Sequence, residues 1–160
     1  MVSLEQSTLI SAPIQRCFDL SRSIEVHLLG TEQTGEQAVG GITTGLIGPN
    51  DFVRWRAKHL GVWQHLTSKI TEYEPPVYFQ DTMTDGAFRF MQHDHYFLAD
   101  SESKTEMRDR LTFAAPLSLL GTIAEHLFLK RYMDRFLRHR NKIIKQVAES
   151  DSWQKFILAK

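Results

Sequence analysis

Hydrophobic and polar residues alternate along the middle of the chain, and this period of two predicts β-strands with one buried face. Alternate side chains of a strand point to the same side of its sheet. Three such faces are mainly apolar and run Val53, Trp55, Ala57, His59; Met91, His93, His95, Phe97; and Thr105, Met107, Asp109, Leu111, Phe113. Polar groups are costly to bury without partners. The faces therefore predict either a site or a satisfied network in the interior.

The same patterns predict one strand, two short helices, six further strands and one long helix. The first strand covers residues 2–10, and Ser11 and Pro13 begin a short helix. A second helix is predicted over residues 23–29, followed by a loop over residues 31–41. The later strands are predicted at residues 42–46, 51–60, 62–73, 77–83, 88–98 and 104–114. Their short spacers carry turn residues and no helical pattern, which predicts antiparallel pairing.

A long amphipathic pattern completes the chain. It predicts one helix over residues 117–149, after Pro116 ends the last strand. The tail, residues 150–160, contains Trp153 and Phe156, which favours a short helix docked on the same chain over an oligomer contact. Since no repeat or linker divides the 160 residues, we expect a single domain.

Composition narrows the class of protein. Lys and Arg total 19 and Asp and Glu total 19, so no net charge attracts nucleic acid. The single cysteine, Cys17, excludes an internal disulfide and fits a reducing compartment. The N-terminus does not resemble a signal sequence, and no segment reaches the roughly 18 apolar residues of a membrane span. We therefore expect a cytoplasmic protein with neither a membrane span nor a nucleic-acid partner.

The order of elements and several local phrases resemble one known superfamily. The phrases are WRAKH at residues 55–59, HDHYF at 93–97, TEMRD at 105–109, and APL at 115–117 with Gly121. They are similar to a bacterial branch of the START-like or Bet v 1-like superfamily, also called SRPBCC or polyketide cyclase-like. The resemblance implies an α+β helix-grip fold, in which a curved seven-stranded antiparallel sheet wraps around a long C-terminal helix and encloses a cavity. Related folds bind lipids, sterols, plant hormones or polyketide intermediates, and some catalyse cyclisation or dehydration.

The last predicted hairpin brings a histidine and an aspartate together. If the numbers of paired residues on the two strands sum to 204, His95 lies opposite Asp109. If they sum to 202, His93 lies opposite Asp109. In either register Asp109 is beside one of the two histidines. Such a pair orients an imidazole for general acid or base catalysis. It equally satisfies a histidine in a core. His93, His95 and Asp109 are therefore the candidate catalytic residues, with the structural interpretation still open.

Further residues on inward faces are candidates for a ligand site. Arg89 shares the parity of Met91 and is placed at the cavity mouth, where it can meet an acidic group or extend into solvent. The full set of candidate ligand-binding residues is Trp55, His59, Phe79, Asp81, Arg89, Met91, His93, His95, Phe97, Met107, Asp109, Tyr132 and Phe136. If the strands bring them together, His59, His93, His95 and Asp109 contain enough donors for a zinc-type site. An HxH spacing alone is weak evidence, and the superfamily usually carries no metal, so we expect neither a metal nor a cofactor.

Three functions compete at this point. The leading hypothesis is binding of a hydrophobic or amphipathic small molecule in a cavity with a polar end. The alternative is a cyclase-, dehydratase- or hydrolase-like enzyme that uses the His–Asp pair as general acid or base. The third is an interaction module that uses the tail around Trp153, with a homodimer as one candidate assembly.

Overall fold

The computed structural model describes residues 1–114 and 125–157, and these form seven strands, four α-helices and short helical turns. The strands are β1 Val2–Ile10, β2 Gln37–Gly41, β3 Phe52–His59, β4 Val62–Glu74, β5 Tyr78–Gly86, β6 Phe90–Ser101 and β7 Lys104–Ala114. The helices are α1 Ile14–Ser21, α2 Ile24–Gly30, α3 Lys130–Ala148 and α4 Gln154–Ile157. A π-helical segment, Glu125–Leu129, leads directly into α3, and 3₁₀ turns occupy Glu32–Thr34 and Asp151–Trp153.

All seven strands form one antiparallel sheet in the order β1-β7-β6-β5-β4-β3-β2. Only β1 is displaced from chain order, because it pairs with the last strand. The helix α3 packs against β1, α1 and α2, so it crosses the concave side of the sheet. This arrangement confirms the predicted architecture of a long C-terminal helix held by a seven-stranded sheet. Among the described residues, no helix is both long and apolar enough to cross a membrane.

The second strand lies earlier in the chain than the pattern predicted. The strand is Gln37–Gly41, within the predicted loop, and the predicted strand at residues 42–46 is wrong. Gly45 has a φ of +80°, and its N–H donates to the Glu25 carboxylate, which ties this stretch to α2. Glycines at the end of β2 masked its pattern, although an edge strand tolerates them because it pairs on one side only.

The long helix is described from Glu125 onward and its α-helical part ends at Ala148. The predicted helix start at residues 117–124, the strand end at Pro116 and the phrase at 115–117 with Gly121 lie outside the described residues. Inward positions of α3 are apolar at Leu137, Ile144 and Val147 but polar at Arg140 and Asn141, which are also buried.

The tail lies against the first helix. Trp153, Phe156 and Ile157 pack on the main core, and the Arg16 guanidinium stands 4.1 Å from the centre of the Trp153 ring. Residues 158–160 are outside the described part of the chain. The contact places the described tail on its own chain.

The polar residues of the three predicted faces do point inward. Val53, Trp55 and Ala57 on β3 are buried, and so are alternate residues from His93 on β6 and from Thr105 on β7. The apolar part of this interior centres on Phe18 of α1, which makes edge-to-face contacts with Tyr73, Phe79 and Phe97 at centroid distances of 5.4–5.6 Å. The sheet therefore presents one mixed face, apolar beneath α1 and polar farther along β6 and β7.

Candidate functional site

A cavity of about 290 Å³ lies between the concave face of the sheet and the helices α2 and α3. Its apolar wall includes Val53, Trp55, Ile70, Phe79, Met91 and Phe136. Two groups of polar side chains also reach the wall, one on β5 and β6 and the other between α2, β3 and α3. A concave apolar space with a few polar groups is the usual form of a small-molecule site.

Most of the predicted ligand-binding residues border this cavity. They are Trp55, His59, Phe79, Asp81, Met91, His93, His95, Tyr132 and Phe136. Three of the other predicted residues, Phe97, Met107 and Asp109, are buried but do not border the cavity. Phe97 and Met107 are covered by α1, through Phe18 and through a Ser21 hydroxyl 3.4 Å from the Met107 sulfur. Asp109 is completely buried behind the two histidines.

The inward placement of Arg89 is wrong. Its side chain is exposed and is not part of the cavity wall. The strand β6 begins at Phe90, so Arg89 precedes the strand and the alternation does not extend to it. A guanidinium in this position is solvated by water, which is far less costly than burying it without a partner.

The first polar group, which we call the histidine floor, consists of Asp81, His93, His95 and Asp109. His95 Nε2 lies 2.9 Å from Asp81 Oδ2, and His95 Nδ1 lies 3.0 Å from Asp109 Oδ1. His93 Nε2 makes a 2.9 Å hydrogen bond with the same Asp109 oxygen. The ladder pairs His95 with Asp109, which is the register summing to 204, and diagonal reach brings in His93 as well. The predicted contact of Asp109 with a histidine is confirmed.

Neighbouring side chains hold both carboxylates of the histidine floor in place. Asn141 Nδ2 donates a 2.8 Å hydrogen bond to Asp109 Oδ2, and the Arg140 guanidinium is 3.5 Å from Asp109 Oδ1. On the other side, the Ser68 hydroxyl donates to Asp81 Oδ1 at 2.7 Å. The ring of Phe79 stacks on His95 at a centroid distance of 4.1 Å. The imidazole of His95 is thereby fixed in both direction and plane.

Burial and hydrogen bonding set the protonation of these groups. Burial lowers the pKa of His93, and the nearby His95 lowers it further, against the opposing effect of Asp109. Burial alone raises the pKa of each carboxyl. For Asp81, the His95 hydrogen bond and the His93 charge outweigh burial and hold the pKa well below its usual value. For Asp109, the His93 hydrogen bond and the His95 imidazole 3.0 Å away have the same effect on its pKa. Both carboxyls are therefore ionised at neutral pH.

The second polar group, which we call the tyrosine end, consists of His27, Glu36, His59 and Tyr132. His59 Nδ1 makes a 2.7 Å hydrogen bond with the Tyr132 hydroxyl, and His27 Nε2 makes one of 3.0 Å with Glu36. His27 also stacks on Trp55 at a centroid distance of 4.1 Å. His59 therefore belongs to a different group from His93 and His95, so the four-residue zinc-type set considered from sequence is not assembled.

Burial also shifts the pKa values of the groups in the tyrosine end. It lowers the pKa of His59, an effect partly offset by the Glu36 charge, and it raises the pKa of Tyr132. Burial alone raises the pKa of Glu36, but the charge and hydrogen bond of His27 outweigh it and hold this pKa below its usual value. At neutral pH the tyrosine end offers the neutral His59 imidazole and the Tyr132 phenol beside the partly buried Glu36 carboxylate.

Several residues of the two polar groups were missed from the sequence. His27 and Glu36 lie in the short helix and the misassigned loop, where no alternation marked them. Arg140 and Asn141 lie on the inward face of α3, whose other charged residues are largely in contact with solvent. A helical wheel places both residues on the same side as the apolar residues of α3, so this signal could have identified them. Ser68 lies on the inward face of β4, where a lone serine gave no signal.

Solved structures with the same arrangement of elements cover nearly the whole chain. Zhui aromatase/cyclase from Streptomyces sp. R1128 superposes with a TM-score of 0.75 at 12% identity, over 92% of this chain and 93% of that one. A START superfamily protein from Mycobacterium smegmatis gives 0.70 at 10% identity, over 92% and 97%. The protein TTHA0849 from Thermus thermophilus gives 0.71 at 17% identity, over 93% and 100%.

The chain has the START-like helix-grip fold. No protein-family model and no curated protein sequence matches it. The START-like fold thus extends over almost all of the chain at identities of 17% or less in these three comparisons. At such identities the likeness establishes the architecture, and any function must be argued from this chain's own site.

Proposed function

We propose that the protein binds an amphipathic small molecule in the cavity between the sheet and α3. The observation that carries this proposal is the cavity itself, about 290 Å³ in volume, with apolar walls and polar side chains at two separate places. The volume is at the lower end of the range of about 300–1,000 Å³ typical of ligand pockets. The expected ligand is therefore small, of the size of a few fused rings or a short acyl chain. The START-like neighbours, which include an aromatase/cyclase, support a hydrophobic ligand.

The spacing of the two polar groups defines the ligand further. Tyr132 of the tyrosine end and Arg140 behind the histidine floor are eight residues apart on α3, about 12 Å along the helix axis. Polar protein groups that face a bound molecule lose their water, and each one left unpaired costs about 1–3 kcal/mol. A ligand with hydrogen-bonding groups at both ends and an apolar middle is thus favoured over a pure hydrocarbon.

Filling the cavity provides the direct test. Ala57 is buried on β3 and borders the cavity, so Ala57→Trp places an indole in the binding space without displacing a charged group. We expect the wild type to bind one molecule of the dye 1-anilinonaphthalene-8-sulfonate per chain, and we expect at least tenfold weaker binding by the variant. Dye fluorescence measures the affinity, and native mass spectrometry of freshly purified protein identifies any co-purified compound.

The adjacent outward residue supplies a matched control. Lys58 is exposed on the same strand, so Lys58→Trp adds the same side chain outside the cavity and should keep wild-type affinity. Thermal melting confirms that both variants are folded, which separates cavity binding from dye uptake by a loosened chain. Equal dye affinity in Ala57→Trp and wild type would show that the dye binds elsewhere and would refute the proposal.

An acid–base enzyme is the second candidate, and the surroundings of His95 favour it. Carboxylates lie against both of its ring nitrogens, and the ring borders the cavity beside His93. In such a reaction His95 would exchange a proton with the bound molecule. Asp109 does not reach the cavity, so it would act as a positioning residue for the imidazole.

Turnover of a co-purified compound distinguishes catalysis from binding alone. If His95 transfers a proton, His95→Gln should lower kcat about 10²–10⁴-fold while KM changes little, since the apolar wall remains. Liquid chromatography of reaction mixtures measures both constants. The matched control is His139→Gln on the exposed side of α3, which should leave both unchanged. Full activity in His95→Gln would exclude this role.

A further inference from the structure

The surroundings of His95 require a positive charge that a neutral imidazole does not supply. Carboxylate oxygens lie 2.9 Å from Nε2 and 3.0 Å from Nδ1. A neutral imidazole has a single N–H, so it can donate to one of these oxygens while its other nitrogen turns a lone pair toward the second. Consistent with this conflict, Nδ1 has no hydrogen bond of acceptable geometry within the described residues, although the ring is almost completely buried.

The charges of the histidine floor do not balance with neutral imidazoles. Asp81 and Asp109 contribute two negative charges, and Arg140 at 3.5 Å from Asp109 contributes one positive charge. The remaining negative charge lies nearest Asp81, whose other oxygen is bound by the neutral Ser68 hydroxyl. The Asp81 side chain is only 22% exposed, and a carboxylate with so little water around it is stabilised by pairing or by coordinating a metal. A second proton on His95 would neutralise this charge, and a bound cation would pair with it.

The donor atoms are arranged to bind such a cation. Asp81, His93 and His95 each provide one ligand atom, and all three atoms lie within 4.8 Å of one another. In tetrahedral geometry, bonds of about 2.0–2.2 Å place neighbouring ligand atoms roughly 3.4 Å apart, so the 2.9 Å between His95 Nε2 and Asp81 Oδ2 needs to open by about 0.5 Å to admit an ion. A pair 4.8 Å apart, the upper limit for these atoms, needs to close by roughly 1.4 Å to reach that spacing, and side-chain rotations supply the movement.

Asp109 occupies the position of the outer carboxylate that orients metal-binding histidines. A histidine that binds a metal through one nitrogen almost always donates its other N–H to a carboxylate, a carbonyl or water. Asp109 Oδ1 lies within 3.0 Å of His93 Nε2 and His95 Nδ1, which leaves His93 Nδ1 and His95 Nε2 for an ion, and Asn141 and Arg140 fix Asp109 from behind. With the His95 proton on Nδ1 directed at Asp109, the Nε2 lone pair is free for an ion.

We propose that Asp81, His93 and His95 bind one divalent transition-metal ion, of the zinc type, in the wall of the cavity. Two imidazoles and one carboxylate leave further coordination positions open toward the cavity, where a polar group of a ligand can complete them. Protein side chains alone hold the ion, so this site goes beyond the proposed ligand binding and does not depend on it.

Binding of Co²⁺ and Zn²⁺ to tag-free protein, first stripped of metal with a chelator, tests the site. At pH 7.5 we expect one ion per chain, visible Co²⁺ absorption bands that Zn²⁺ displaces, and a calorimetric Kd in the micromolar range or tighter. Asp81→Asn and His95→Gln should each weaken Zn²⁺ binding at least 100-fold. His139→Gln, which changes an exposed histidine of α3, should bind like the wild type.

Two results would overturn the proposal. One is wild-type affinity in both Asp81→Asn and His95→Gln, which would assign the ion to surface groups. The other is a ¹⁵N spectrum that shows both His95 nitrogens protonated in the presence of excess Zn²⁺, because a second proton would then supply the charge. Asp81 is partly exposed, so Asp81→Asn keeps the test valid if His95→Gln does not fold. The dye assay on metal-free protein is a separate measurement, so either proposal can fail alone.

Discussion

Asp109→Ala is expected to destabilise the protein by about 3–5 kcal/mol, the usual loss when one partner of a buried ion pair is removed. The Asp109 carboxylate accepts hydrogen bonds from His93 and Asn141 and faces the Arg140 guanidinium, and all three of these residues are buried. Among the described residues Arg140 has no other carboxylate within 4.0 Å, so alanine leaves its charge buried without a counter-ion and removes the acceptor of the His93 and Asn141 hydrogen bonds. Urea unfolding at pH 7, followed by tryptophan fluorescence, measures the change in the free energy of unfolding.

Two further variants isolate the cause of this loss. Asp85→Ala removes an exposed carboxylate from β5 and should change stability by less than about 0.5 kcal/mol. Combining Asp109→Ala with Arg140→Met removes the stranded charge, so the double variant should recover part of the loss. A change below about 1 kcal/mol in Asp109→Ala would contradict the description of the histidine floor as a tightly satisfied network.

Acid is expected to lower the free energy of unfolding in two phases. His93 and His59 have pKa values below their usual value because burial disfavours their charged forms. Their contribution to stability is complete above about pH 6.5, the pKa of histidine in the unfolded chain, and is lost as the pH falls below this value. Asp81 and Asp109 also have lowered pKa values, so their contribution is complete above about 3.9 and is lost as the pH falls through the folded values. Each pKa unit between the folded and the unfolded chain corresponds to about 1.4 kcal/mol in the free energy of unfolding.

The two phases can be assigned by measuring urea midpoints between pH 8 and pH 3. The total loss should be on the order of a few kcal/mol. His93→Gln should flatten the phase between about pH 7 and 5, and Asp81→Asn should weaken the phase below about pH 4. His139→Gln, whose histidine is exposed, should reproduce the wild-type profile. A wild-type midpoint that stays constant from pH 8 to pH 4.5 would show that neither buried histidine resists protonation.

Local patterns predicted most of the fold because each element carries its own periodicity. The rows from Val53, Met91 and Thr105 have one inward parity each, and a buried face cannot shift by a single residue without exposing all of its apolar side chains. The same parity predicted the contact of Asp109 with a histidine before the register was known, since both registers bring them together. The second strand was missed because Gly40 and Gly41 lack side chains and cannot show an alternation.

The division of the polar residues between two groups was not predictable in this way. His59 shares inward parity with Trp55, yet it hydrogen-bonds to Tyr132 on α3 and not to His93 or His95. Arg89 has the parity of Met91, but β6 begins after it and its charge stays in water. Parity specifies a face, whereas the distance between two residues on that face depends on strand order, on curvature and on the helix that covers them.

The sequence by itself determined most element types, the inward faces of β3, β6 and β7, the antiparallel hairpin of β6 and β7 and the pairing of Asp109 with a histidine. All of these follow from contacts between residues near in the chain, which periodicity and turn chemistry control. Only the tertiary structure decided that Arg140 and Asn141 close the histidine floor from behind, that Asp81 joins it and that Glu36 and His27 form the tyrosine end. Those contacts join residues distant in the chain, and the packing of α2 and α3 across the sheet brings them together.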